Sequence, residues 1–286
     1  MRDLRYMLHD QFGAEFSDVL AVSTSSKSPC HAAVLAFSLM ISVDLPAQQA
    51  PIRFESGDRQ THLVELFTSE GCSSCPPAEA WFSQLKAASG LWSQFVPVAF
   101  HVDYWDHLGW PDPWASTRFT DRQRSYAQSW LMESIYTPGF VLDGNEWTSW
   151  RRARTVPATG TADAGKLALS SPDAQHWKIT FAPAVEAASR YRCNAALLYS
   201  GLVSNVKAGE NKGRRLDHDF VVIAFVEAVL KPSASSWEGE VVLKVPQDEK
   251  HRPAGRLAVA VWITRTNALK PVQATGGWID RGEPKP

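Results

Sequence analysis

The segment from residue 61 to 103 constrains the fold more than any other part of the chain. "THLVELFT" (61–68) is rich in β-forming residues and ends in a turn, so it predicts a strand. "FVPVAFHVD" (95–103) is a nearly continuous apolar run, typical of a strand buried on both faces. Between them, from Pro76 onwards, apolar residues recur at helical spacing, namely Ala78, Trp81, Phe82 and Leu85. We therefore expect a strand–helix–strand unit with parallel strands.

Two cysteines lie between the first strand and the helix, in "CSSC" (72–75). A helix N-terminus presents free N–H groups and the positive end of the helix dipole, which stabilise a thiolate. The two-residue spacing would let Cys75 resolve a mixed disulfide formed at Cys72, so the context favours a redox pair. A zinc site is disfavoured because it needs four ligands and the chain has no second C-x-x-C. A purely structural disulfide would close too small a loop to add much stability.

The rest of the chain divides into a short α/β continuation and a β-rich part. We predict a helix over 118–132 and a hairpin at Asp143-Gly144. From Lys166 on, strand patterns alternate with turns and predict an antiparallel sandwich. The expected domains are a leader and signal peptide (1–50), an α/β domain with an inserted helix (51–150), a linker (151–165) and a β-sandwich domain (166–286).

Residues 27–50 read as an export signal. Lys27 gives the positive flank, Ala32 to Val43 the apolar run, and "LPA" a small-residue cleavage site. The apolar run is too short to span a membrane, so we expect a periplasmic or secreted protein without a stable membrane anchor. The formal net charge of -1 argues against a nucleic-acid partner, because such proteins carry a concentrated basic face.

Several longer motifs resemble the DUF1223 family of exported bacterial proteins, which carry a thioredoxin-like domain. They are "LVELFTSEGCSSCPP", "FHVDYWDHLGWPDPWAS", "FTDRQRSYA", "YTPGFVLDG" and "GENKGRRLDHDF". The resemblance implies an α/β fold: a thioredoxin-like N-terminal domain followed by an all-β, sandwich-like C-terminal domain. It also implies that Cys72 is the nucleophile, that Cys75 is the resolving thiol, and that Pro138, after Thr137, is a cis-proline that receives substrate backbone.

Other candidate residues have two interpretations each. Glu65 would serve as proton acceptor for the resolving thiol only if its strand ends in a bulge, because a one-residue shift turns a strand side chain to the other face. A lid over the cysteines is one interpretation of a second group, and a core stripe with a solvated helix face is the other. The group comprises Trp105, Trp110 and Trp114 in the loop and Arg122 and Arg124 on the next helix.

The segment "GENKGRRLDHDF" (209–220) also has two interpretations. It is either a surface turn or a loop docked near the cysteines through Asn211, Arg214 or His218. Cys193 is most simply a small buried apolar residue.

Three functions follow from these features. The leading one is thiol–disulfide exchange with exported proteins or small-molecule thiols and disulfides, without an organic cofactor. The second is binding of copper or a related soft metal by Cys72, Cys75 and His101, although His101 is more simply a strand residue. The third is a non-catalytic interaction module with a Trp-lined surface.

Overall fold

A computed structural model describes residues 50–153, 155–158, 163–185, 190–246 and 255–279. Gln48–Pro286 form one compact unit. The predicted export signal lies outside the described residues except for its last residue, Ala50. Within the described ranges, no helix has the length and apolar character needed to cross a membrane.

Two α-helices and fifteen strands are present among the described residues. The helices are α1 (Pro76–Ser83) and α2 (Thr117–Ser129). The strands are β1 (Ile52–Glu55), β2 (His62–Thr68), β3 (Phe95–His101), β4 (Gly139–Leu142), β5 (Asn145–Glu146), β6 (Gly165–Ser171), β7 (His176–Pro183), β8 (Tyr191–Ser200), β9 (Leu202–Asn205), β10 (Arg215–His218), β11 (Val221–Val229), β12 (Lys231–Ser233), β13 (Ser236–Val242), β14 (Arg256–Arg265) and β15 (Pro271–Trp278).

The strands form three sheets. The largest has the order β15-β14-β8-β11-β3-β2-β4-β5, and the others have the orders β1-β6-β7-β13-β12 and β10-β9. In the largest sheet β3 pairs in parallel with both β2 and β11, and the other pairs are antiparallel. The predicted unit β2-α1-β3 and the hairpin at Asp143-Gly144 are therefore both present.

The predicted α/β architecture, a thioredoxin-like N-terminal domain followed by a separate sandwich domain, is wrong. The described chain is mostly β, and β2 to β5 do not make a sheet of their own. Strand β11 pairs with β3 through Val221 and Ala99, which joins the first strands to β8, β14 and β15 in one sheet. The physical reason is that the free edge of β3 carries unpaired N–H and C=O groups, and a strand more than a hundred residues later satisfies them.

Apolar residues on alternate positions of the central strands build two cores. On β8, Cys193, Ala195 and Leu197 face the five-stranded sheet and contact residues of its strands such as Trp177 and Phe181. The alternate residues of β8, such as Leu198, join the core that contains α1 and α2. This alternation is what a strand covered on both faces requires. The turn between the carboxyl end of β2 and the start of α1 holds both cysteines.

Candidate active site

The two cysteines occupy the turn that joins β2 to α1. The N–H of Cys72 donates to the carbonyl of Ser69 (3.2 Å), and the N–H of Cys75 donates to the carbonyl of Cys72 (3.2 Å). Cys75 is the N-cap residue of α1, and Pro76 follows at the first helical position, where a missing N–H costs nothing. The predicted position of the pair, between a strand and a helix N-terminus, is confirmed.

The two thiols have different acidities. The hydrogen bond from Cys75, together with contacts to Ser74 and Thr137, lowers the pKa of Cys72 to about 6 against the opposing effect of burial. Burial raises the pKa of Cys75 far above its ordinary value, and the neighbouring Cys72 raises it further. Cys72 is therefore the thiolate at neutral pH and Cys75 stays a protonated donor. Both sulfurs are covered, and Cys72 is only 1% exposed.

The Thr137–Pro138 peptide bond is cis, and Thr137 lies against Cys72. Cys72 Sγ is 3.8 Å from the carbonyl oxygen of Thr137, and Ser74 Oγ donates to the same oxygen (3.4 Å). Trp105 Nε1 donates to Thr137 Oγ1 (2.8 Å). The structure thus brings Thr137 and Pro138 to the cysteine turn, as the resemblance implied, and Trp105 lies beside them.

A loop from the second half of the chain covers the same turn. Asn211 is fully buried, and its Nδ2 donates to the carbonyls of Glu70 (2.8 Å) and Cys72 (2.9 Å). The exposed side chain of Glu210 accepts a hydrogen bond from the N–H of Ser73 (3.0 Å). Of the two interpretations of "GENKGRRLDHDF", the docked loop matches the structure. We call residues 209–214 the covering loop.

Glu65 lies away from this turn, in a buried group that we call the arginine cluster: Glu65, Arg122 and Tyr126. Arg122 Nε donates to Glu65 Oε2 (2.7 Å), and the hydroxyl of Tyr126 donates to Glu65 Oε1. Strand β2 pairs regularly with β3 and has no bulge, so Glu65 and Thr68 point to opposite faces. Because Thr68 faces Cys75, Glu65 faces the other way. Arg122 is likewise buried in this pair and does not form a lid.

A second buried group, the histidine cluster, lies behind Cys75. Its members are Glu70, Glu79, His101, Asp112 and His218, all at most 7% exposed. His218 Nδ1 is 2.7 Å from Glu79 Oε2, and His218 Nε2 is 3.1 Å from Glu70 Oε1. The Thr68 hydroxyl donates to Glu79 Oε1 and also contacts Cys75, so one hydroxyl connects the cluster to the resolving thiol.

His101 and Asp112 form the other half of the histidine cluster. His101 Nδ1 is 2.7 Å from Asp112 Oδ2, and the rings of His101 and His218 meet edge to face at 5.1 Å. Within the described residues, the set of three donor atoms close enough to share a metal ion comprises Glu79, His101 and His218 and includes neither cysteine. The structure therefore groups His101 with Glu79 and His218, and not with Cys72 and Cys75.

The charges inside the histidine cluster stabilise one another. Burial alone would raise the pKa of Glu79, but the charge of His218 and its hydrogen bond outweigh burial and lower that pKa. Burial alone would lower the pKa of His218, but Glu79 and Glu70 raise it well above the ordinary value. The described geometry is thus an ionic network rather than a set of neutral buried groups.

Comparison with known proteins identifies the family. The model of the family described as "Protein of unknown function (DUF1223)" matches residues 63–264. The chain belongs to the DUF1223 family. No curated protein matches this DUF1223 protein.

Two solved structures are similar to this DUF1223 protein. Protein AGR_C_4864 from Agrobacterium tumefaciens is 20% identical, with a TM-score of 0.50, over 78% of this chain and 95% of that chain. HBP35 of Porphyromonas gingivalis is 13% identical, with a TM-score of 0.50, over 80% of this chain and 78% of that chain. At these identities the likeness concerns the fold alone.

The remaining predicted residues of the DUF1223 chain have ordinary surroundings. Trp110 Nε1 donates to Glu70 Oε2 (2.6 Å), so Trp110 supports the histidine cluster. Arg124 is on the surface, paired with Asp121 (2.9 Å). Cys193 is fully buried in apolar surroundings, as expected, and burial raises its pKa to about 11.

Three acids of the histidine cluster were not predicted from the sequence, namely Glu70, Glu79 and Asp112. One signal was available: Glu79 lies four residues after Cys75, which puts both on the same face of α1. The partner His218 is 139 residues away from Glu79, and no local pattern predicts that contact.

Proposed function

We propose that this DUF1223 protein is a thiol–disulfide oxidoreductase that works through Cys72 and Cys75. The observation that carries the proposal is the difference between the two thiols. The pKa of Cys72 is lowered to about 6, whereas that of Cys75 is strongly raised. A thiolate is the species that attacks disulfides, and a nearby protonated thiol supplies the second step. If the two thiols had equal pKa values, there would be no reason to assign them the separate roles of nucleophile and resolving thiol.

The reaction consists of two exchanges. The Cys72 thiolate attacks one sulfur of a substrate disulfide, forms a mixed disulfide and releases the other substrate sulfur as a thiolate, which takes a proton from solvent. Cys75 then attacks Cys72 Sγ and its proton passes to the departing substrate sulfur, so the mixed disulfide breaks and the second substrate thiol leaves. The Cys72–Cys75 disulfide has formed, and two electrons have passed to the substrate. In the reverse direction the same steps oxidise a dithiol.

The surroundings of Cys72 suggest how a substrate gains access. Ser73 and Ser74 are exposed, whereas Cys72 is covered, and the covering loop is tied to the turn by Asn211 and Glu210. Movement of this loop would expose Cys72 Sγ. The carbonyl of Thr137, 3.8 Å from that sulfur, would then be available to a substrate N–H.

The predicted export signal supports a location in the periplasm or outside the cell, where disulfides form and persist. Exported proteins or small-molecule thiols and disulfides are the corresponding partners. No organic cofactor is required by the two exchanges, because both electrons reside on the cysteine sulfurs.

Activity assays on cysteine variants test the proposal. With a disulfide-bonded model substrate and a thiol reductant, Cys72→Ser should abolish exchange, and Cys75→Ser should accumulate a covalent enzyme–substrate mixed disulfide that is visible on a non-reducing gel. Cys193→Ser is the matched control, since its thiol is buried in an apolar core, and it should keep full activity. Undiminished exchange by Cys72→Ser would contradict the proposal.

A further inference from the structure

We propose that Glu79, His101 and His218 form a binding site for a divalent transition-metal ion of the zinc class. This inference goes beyond thiol–disulfide exchange and uses neither cysteine. One donor atom from each of the three side chains lies within 4.8 Å of the other two, and all three residues are buried. They come from α1, β3 and β10, so the site joins three elements that are distant in sequence.

Each histidine uses one ring nitrogen for an outer carboxylate. His101 Nδ1 is held by Asp112 at 2.7 Å, and His218 Nε2 is held by Glu70 at 3.1 Å. Metal-binding histidines in proteins usually have such a partner, which fixes the ring orientation and tautomer and makes the ligating nitrogen more basic. His101 Nε2 and His218 Nδ1 are then the nitrogens for the metal, and His218 Nδ1 already neighbours the Glu79 carboxylate at 2.7 Å.

The two outer carboxylates are themselves fixed. Asp112 Oδ2 accepts the N–H of Glu70 (2.8 Å), and Asp112 Oδ1 accepts the N–H of Trp114 (2.9 Å). Glu70 Oε2 accepts from Trp110 Nε1 (2.6 Å). This support holds both imidazoles before any ligand arrives, as a preorganised metal site requires.

The charge of the cluster also favours a cation. Three carboxylates are buried here with two imidazoles. The two imidazole rings lie 5.1 Å apart, close enough to share one ion with the Glu79 carboxylate. A single divalent ion would offset two of the three carboxylate charges, and it would bind the Glu79 carboxylate directly.

The donor set selects the class of metal. Two imidazoles and one carboxylate match zinc and neighbouring divalent ions, whereas Mg²⁺ and Ca²⁺ prefer sites made of oxygen donors. Copper(I) prefers sulfur ligands, which this set lacks. Because the site is closed to solvent, the ion would enter as the chain folds.

Metal analysis of refolded protein tests the site. The purified chain is refolded with ZnCl2, desalted, and its metal content is measured by mass spectrometry. We expect one zinc ion per chain in the wild type and in the Cys72→Ser/Cys75→Ser double variant, which has no exchange activity. The ion should be lost in His218→Asn and in His101→Asn. His62→Asn is the matched control, because His62 is also paired with a carboxylate, Asp143 (2.5 Å), at the other end of β2, and it should retain the ion.

The double cysteine variant separates the two proposals. Zinc retained without exchange activity supports the site whatever the cysteines do. Zinc that is absent from the wild type, or lost from the double cysteine variant, overturns the site, and the histidine cluster is then a proton-bearing ion network only.

A measurement on the wild type keeps the test valid if the histidine variants fail to fold. Refolding with CoCl2 should give visible absorption bands of a nitrogen- and oxygen-ligated ion, without the thiolate-to-cobalt charge-transfer band. Asp112→Asn should weaken metal affinity by about 10- to 100-fold, because it removes the partner that orients His101. A cobalt spectrum with thiolate charge transfer, or none at all, would contradict the assignment.

Discussion

Two buried polar clusters lie on opposite faces of β2, and they differ in the kinds of charged side chain that they contain. The arginine cluster pairs one carboxylate, Glu65, with a guanidinium that does not lose its proton at any ordinary pH. The histidine cluster combines three carboxylates with two imidazoles, side chains of the types that bind divalent metal ions in proteins. Only the histidine cluster reaches a cysteine, through the hydroxyl of Thr68.

The two clusters therefore have different structural positions and different expected roles. In the arginine cluster, a fixed charge pair joins β2 to α2 and contributes to folding. In the histidine cluster, residues from both halves of the chain meet directly behind the cysteine turn. An acid buried in a strand is therefore not by itself evidence of a catalytic role: the face on which it lies, and the partner it finds there, decide the matter.

The largest predicted effect comes from breaking the arginine cluster. Arg122→Met should destabilise the protein by about 3–5 kcal/mol, because it leaves the carboxylate of Glu65 buried without its cation. Chemical denaturation of the variant and the wild type measures this loss. The pH dependence of Cys72 alkylation should stay unchanged, because the cluster lies on the other face of β2.

The double variant Glu65→Leu/Arg122→Met provides the control, since replacing both members of a buried pair removes the uncompensated charge and should recover part of the lost stability. A shift in the titration of Cys72 in either variant would contradict the separation of the two clusters.

The next effect concerns the cysteine pair itself. In the wild type, the alkylation rate of Cys72 should rise with pH through a midpoint near 6 and then level off, because the thiolate is lost below its pKa. Cys75→Ala removes the thiol whose hydrogen bond lowers this pKa and should move the midpoint upwards. At pH 6 the rate should fall by roughly tenfold or more, since the rate follows the thiolate fraction. Stopped alkylation followed by mass analysis gives both curves, and coincident midpoints would refute the role assigned to Cys75.

A smaller effect is expected from loosening the covering loop. Asn211→Ala removes two hydrogen bonds to the turn and should raise the plateau rate of Cys72 alkylation several-fold, because the sulfur becomes more often exposed. Lys212→Ala, an exposed position on the same loop, is the matched control and should behave as the wild type. Equal plateau rates in all three proteins would show that the loop does not limit access.

The smallest effect is expected at Glu210. Its carboxylate is exposed and accepts one hydrogen bond from the N–H of Ser73. Glu210→Ala should therefore raise the plateau rate slightly, by less than Asn211→Ala does, because exposed polar contacts contribute little. The same alkylation assay measures it, and a larger effect than that of Asn211→Ala would reverse the proposed importance of the two contacts.

Local patterns predicted the elements around the cysteines well. The predicted strand 61–68, the helix starting at Pro76 and the helix over 118–132 correspond to β2, α1 and α2, with α2 ending earlier, at Ser129. These elements were predictable because hydrophobic period, proline and turn residues act within a few positions.

Long-range pairing was not predictable from the same patterns. The pairing of β3 with β11 makes the predicted two-domain architecture wrong. This pairing depends on which edge of β3 is free and on which distant strand can pair with that edge. The contact of His218 with Glu79 depends on that arrangement in turn. The position of the cysteine turn was therefore predictable from the sequence, whereas the cluster behind it depends on the assembled sheet.

A redox titration of the mature protein against glutathione tests the central claim most directly. Thiols are trapped by alkylation at each ratio of reduced to oxidised glutathione and counted by mass. The proposed redox pair predicts that Cys72 and Cys75 convert together as one two-electron couple, that Cys72 is alkylated first in the reduced form, and that Cys193 takes no part. If the pair stays fully reduced or fully oxidised across the whole range, thiol–disulfide exchange is not the function of this protein.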